Sequence, residues 1–170
     1  LAADVKKRTG SDTLYQFDPE NRLLARGPRH RLPSWMLRDQ ALAASGLLVE
    51  KLGGAPVKTY QPSGIWEAIS MGNSKTRTHK PDTGEGLYRR SVYTYWKRTS
   101  PPPVLETFDA PQRDVCIIQR ERTSTPLQAL VMLNDPTVLE ASRVLAGNLL
   151  QEQGSADSKI SKAFRMIVCR

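Results

Sequence analysis

The sequence predicts a mainly α-helical domain with a small antiparallel β element, an α+β arrangement of several helices around one core with long irregular loops. Three observations lead there. Apolar residues recur at helical spacing in separate stretches between residues 33 and 168. The run 87–98 is dense in Tyr, Val, Thr and Trp, which suit a pleated surface. The connections, above all 72–86 and 100–111, carry Pro, Gly, Ser and Asp.

The chain has 170 residues, 39% hydrophobic and 25% charged, enough for one domain with a core. A single domain over 1–170 is expected, with an exposed lead-in at 1–17 and a surface loop at 72–86. Leu1 is not an initiator methionine, so the expectation is a fragment of a longer multidomain chain. No apolar run approaches the roughly 20 residues that cross a bilayer.

Asp18-Pro19 has the form of a helix start, for a short helix over 20–25 that stops near Gly27-Pro28. The next helix starts at Pro33 and is expected to run to Gly53-Gly54. Leu37, Ala41, Ala44, Leu48 and Leu52 share one side, widened by Met36 and Leu47. Asp39, Gly46 and Glu50 make a narrow polar stripe, so burial nearly all round is expected. That stripe reads as an acidic groove or as the solvent edge of a core helix; Asp39 and Glu50 stand three turns apart, which favours the edge. Residues 64–69 form a short helix that tucks Ile65, Trp66 and Ile69 inward.

Alternation over 87–98 sets Tyr88, Arg90, Val92, Thr94, Trp96 and Arg98 against the remaining side chains, and neither face is purely apolar. Ser100-Pro101-Pro102-Pro103 ends this strand, because proline lacks the ladder donor. A second strand at 115–119 is expected to pair antiparallel with the first through a turn near Asp109-Ala110-Pro111. Then Thr125-Pro126-Leu127-Gln128 spells a capping box: Thr125 caps, Pro126 takes the first position and Gln128 reaches back. Asp135-Pro136 breaks that helix and caps the next, whose face is Val138, Ala141, Leu145 and Leu149 and which Gly154 ends. Asp157 or Ser158 caps a last helix with the stripe Ile160, Ala163, Phe164, Ile167 and Val168.

The formal charge of +8 fits an anionic partner or a basic solvated surface. No nucleophile elbow, Gly-rich phosphate loop or H-E-x-x-H is present. Cys116 and Cys169 form no C-x-x-C or haem-attachment motif, and Cys116 sits in an apolar run where a buried free thiol is expected. His30 and His79 lack metal-ligand spacing, so no metal site and no cofactor are expected in this fragment. Two constellations remain. In the first, Tyr88, Arg89, Arg90, Tyr93, Tyr95, Trp96, Lys97 and Arg98 offer flat faces for sugars and forks for sulfate, phosphate or carboxylate. The plainer reading is a half-buried strand. In the second, Asp109, Arg113, Asp114, Arg120, Glu121 and Arg122 form either an ion-pair network or a site with shifted carboxylates.

The phrases NRLLARGPRHRLP, RDQALAASGLLVEKLGG, YQPSGIWE, LYRRSVYTYWKRTSPPP, FDAPQRDVCIIQRERTSTPLQAL and LNDP resemble the planctomycete PSD-one domain over roughly residues 18–146. Where that family reads close to RTNTPLQAL this chain has RTSTPLQAL; Ser124 leaves the Thr125 cap intact. The resemblance implies an uncharacterised domain near the C-terminus of large bacterial proteins that often carry a cytochrome-c domain elsewhere. Haem c would then belong to the parent and not to this fragment. It also implies export, hence a periplasmic or envelope location, and work on complex, often sulfated, polysaccharide.

The expected function is a binding or scaffold module that meets other domains of the parent chain and anionic polysaccharide. Its candidate binding residues are Arg89, Arg90, Tyr93, Trp96, Arg98, Asp109, Asp114, Arg120 and Arg122. The alternative is a polysaccharide-acting enzyme domain using acids such as Asp109 or Asp114. Nucleic-acid binding rests on charge alone, and the implied export argues against it.

Overall fold

A computed structural model describes Gln16, residues 18–24 and residues 31–168. The chain divides into two units, Leu1–Arg31 and Leu32–Arg170. In the first, Asp18 does cap: its carboxylate accepts from the backbone N–H of Arg22 (2.9 Å) and Leu23 (2.8 Å). It caps a pair of tight turns and not the expected helix. Asn21 and Leu24 take φ of 52° and 54°, in the left-handed region that a right-handed helix excludes. The rest of the lead-in, Gly27-Pro28, His30 and Cys169 lie outside the described residues.

The second unit is helical, with almost no strand among its described residues. Its helices are α1 (Ser34–Ser45), α2 (Ile65–Ile69), α3 (Pro103–Thr107), α4 (Pro126–Asn134), α5 (Pro136–Gln151) and α6 (Ala156–Val168). Helix α1 packs chiefly on α5, and also meets α3 and α6. Leu42, Trp66, Leu105, Phe108, Ala141 and Leu145 are buried.

Helix α1 ends at Ser45, well short of Gly53-Gly54. Gly46 takes φ 78°, its N–H bonds to the Ala43 carbonyl, and the Leu47 N–H reaches the Leu42 carbonyl. This is the paired 5→2 and 6→1 closure that a left-handed glycine permits. The inward stripe is Ser34, Arg38, Leu42 and Ser45, one or two turns apart, while Met36 is half exposed and Leu52 open to solvent. The side expected to be polar therefore turned out wider, and one charged residue faces in.

The antiparallel β element does not form. Residues 84–94 make two 3-10 turns, Gly84–Tyr88 and Ser91–Tyr93. Their β contacts are single parallel bridges, Val49 to Arg89 and Val57 to Thr94, and residues 115–119 are exposed and unpaired with them. Side chains take the place of a ladder. Arg38 Nη1 donates to the Arg89 carbonyl (2.8 Å) and Ser91 Oγ (3.3 Å), and Nη2 donates to the Leu87 carbonyl (2.6 Å). Next to it, Asp39 accepts from the Ser91 N–H (2.7 Å). Burial lowers the Arg38 pKa, opposed by Asp39 and Asp135. The proline run behaves differently too: Pro103 opens the short helix α3 at its first position.

The later helices follow their local signals. Thr125 Oγ1 accepts from the Gln128 N–H while Gln128 Oε1 accepts from the Thr125 N–H, a complete capping box. Asp135 Oδ1 accepts from the Val138 N–H at the start of α5. The residue at the start of α6 is Ser155, whose Oγ accepts from the Ser158 N–H. No residue of α6 is buried, and Ile160, Phe164 and Ile167 remain largely exposed.

Replacing Arg38 by Met should cost ~3–5 kcal/mol, because it strands the interior carbonyls of Leu87 and Arg89. Urea unfolding of the variant measures this as a lower midpoint. Arg38→Lys should recover only part, since one ammonium does not reproduce the planar fork.

Candidate functional site

Residues 87–98, the central segment, send their two neighbouring arginines in opposite directions. Arg89 points inward and is 6% exposed. Its guanidinium donates to the carbonyls of Lys51 (3.0 Å), Ala55 (3.1 Å) and Gly53, and lies 4.0 Å from the Tyr93 ring centroid. Gly54 takes φ 90° beside it, in a loop curled so that several carbonyls face one cation. Arg90 is exposed and sits 3.5 Å from Asp39.

Beyond α3, residues 112–127 are exposed throughout and form a strap over the surface. Asp109 fastens one end, accepting from the Thr123 N–H (2.8 Å) and Oγ1 (2.9 Å). Gln128 Nε2 adds bonds to the Thr107 carbonyl (2.9 Å) and Thr123 Oγ1 (3.0 Å). The strap carries Arg113, Arg120 and Arg122. The Arg113 guanidinium lies 4.4 Å from the Trp96 ring, and that of Arg120 lies 4.5 Å from the Trp35 ring. Arg98, 82% exposed, stands 3.6 Å from Asp114. Cys116 is exposed, not buried, with Val115 and Ile118 open beside it.

Thus Trp96, Arg98, Asp114, Arg120 and Arg122 are on or beside the exposed strap. Arg89 belongs to the interior with Tyr93 half-buried over it, Arg90 pairs with α1, and Asp109 is a fastener. Sequence reasoning missed Trp35. It sits early in α1, and no local signal ties it to Arg120.

The chain belongs to the PSD1 family. The match to that family model, described as a protein of unknown function (DUF1553), spans residues 6–170. No curated protein and no solved structure matches the chain.

Two further clusters tie residues 87–98 to the rest of the unit. Lys97 Nζ donates to Ser70 Oγ (2.6 Å) and the Thr76 carbonyl (3.0 Å) and lies 4.8 Å from the Trp66 ring centroid. His79 meets the same ring edge-on at 4.8 Å, and burial, helped by Lys58, pushes its pKa down. Among the described residues, no group of three or more His, Cys, Asp or Glu is placed to hold a metal ion. No helix among them is long and apolar enough to cross a membrane.

In the second cluster Tyr88 Oη donates to Glu140 Oε1 (2.7 Å), which pins the central segment to α5. That bond, with burial, pushes the Tyr88 pKa from 10.0 up to about 12. A raised folded pKa means the proton is held more tightly in the native state. Its stabilisation is complete below pH 10 and disappears as pH climbs from 10 toward about 12. Alkaline unfolding should therefore steepen in that window for the native chain and less so for Tyr88→Phe, as followed by circular dichroism. Phenolate absorbance should show one fewer late-titrating tyrosine in the variant.

Proposed function

We propose that this domain is a binding and scaffold module of an exported, haem-associated multidomain protein, and that its ligand is an anionic polysaccharide. The observation that carries the reading is the pair of strap arginines placed over tryptophan rings, Arg113 over Trp96 and Arg120 over Trp35. A guanidinium stacked on a ring keeps its N–H edge pointing outward, the edge that grips sulfate or carboxylate with two parallel bonds. Stacking also removes part of the rotamer freedom that binding would otherwise have to freeze. Arg98 and Arg122 extend the same basic surface, and the exposed Arg98–Asp114 pair is weak enough for a polyanion to displace. Export and haem association are what the resemblance to PSD-one proteins implies. Exposed Leu127, Leu130 and Leu133 of α4 and the open stripe of α6 are the faces we assign to neighbouring domains of the parent.

Binding is favoured over hydrolysis by how the acids are used. Asp109 holds the strap, and Asp114 faces a surface arginine. The test is affinity of the intact chain for a sulfated glycan against a neutral one of equal length, across salt concentrations. Arg113→Gln and Arg120→Gln should each weaken sulfated-glycan binding ~10-fold and flatten its salt dependence. Arg143→Gln, on the exposed side of α5, should change little. Equal binding to both glycans, or no loss in the strap variants, would sink the reading.

A further inference from the structure

We propose that the small cavity between α1, α3, Thr94 and the start of α5 is a binding site for internal water, which completes the hydrogen bonding of Arg38, Ser34 and Thr94. The cavity measures about 30 Å³. One water needs ~10–15 Å³, so one or two fit and an organic ligand does not. Its polar wall includes Ser34, Arg38, Thr94 and Asp135, each at least nine-tenths buried. Three of these carry a side-chain atom with no protein partner: Ser34 Oγ, Arg38 Nε and Thr94 Oγ1. Buried polar atoms of native proteins find partners, and three bonds is the usual number for a buried water.

Charge selects the ligand. The Arg38 Nε–H can only donate, whereas the two hydroxyls can donate or accept. A bound anion would face the Asp135 carboxylate in the same wall, and a cation would face Arg38. Neutral water accepts from Arg38 and exchanges bonds with both hydroxyls. It thereby adds a bond between the first turn of α1 and Thr94 to those that Arg38 and Asp39 already make to residues 87–91.

The sign of one substitution decides between a wet and a dry cavity. Thr94→Val keeps shape and backbone preference while removing the hydroxyl. With water bound, the variant loses a hydrogen bond and Tm should fall by ~2–4 °C. A dry cavity would instead lose an unsatisfied group, and Tm would stay level or rise, which overturns the proposal. The second arm uses the unaltered chain: a high-resolution crystal structure or water-to-amide cross-relaxation should show a long-lived water beside Arg38 and Thr94. Its absence overturns the proposal even where Thr94→Val fails to fold.

Discussion

The fork of Arg38 lies under a length of backbone that has neither helix nor sheet to supply its partners. Irregular chain normally stays on the surface, where water satisfies it. Here the Leu87 and Arg89 carbonyls reach the interior and accept from one guanidinium, while the adjacent Asp39 takes the Ser91 N–H. Two successive residues of α1 thus provide a cation for carbonyls and an anion for an amide. The arrangement is then repeated one step further out. Arg89, held by its own backbone, turns its side chain to the carbonyls of Lys51, Gly53 and Ala55. A helix, a turn and a loop are joined in series by two cations. Among the described residues, buried polar side chains outnumber buried hydrophobic ones.

What could be read from the sequence was what neighbours decide. The Thr125–Gln128 box, the Asp135 cap and the Ala141, Leu145, Leu149 face depend on residues within a few positions of each other, and all three are present. The end of α1 was harder. Gly46 and Gly53-Gly54 are both competent stops, and what accompanies the earlier one is the bond of the Val49 N–H to the distant Tyr88 carbonyl. Residues 87–98 have strand composition, but composition measures fitness for a half-buried extended path, not the presence of a partner strand. Single bridges to Val49 and Val57, together with arginine donors, use up that fitness without a sheet.

Periodicity carried a similar ambiguity. The stripe of α6 has the expected spacing, yet Ile160, Phe164 and Ile167 face outward. Spacing establishes that residues share a face; it does not establish that something covers that face. The apolar residues of the strap and of α4 pose the same question. Cys116 is exposed because its apolar run belongs to the strap and not to a strand interior.

The charge of the chain needs the same separation. Arg38 and Arg89 count toward the formal +8 but are occupied by carbonyl oxygens, which are neutral. Asp39, 3.9 Å from the Arg38 guanidinium, offsets part of that charge, and what remains would add to a long-range field that steers a polyanion toward the surface. It cannot contribute to contact. On the proposed reading contact would fall to the exposed arginines, and among those Arg113 and Arg120 sit over the Trp96 and Trp35 rings. On that reading field and grip would arise from different residues of one type. Salt weakens the field over a Debye length but leaves the geometry of a stacked guanidinium unchanged. Attraction to any polyanion and discrimination among anionic groups should therefore separate as ionic strength rises, with discrimination the more persistent of the two.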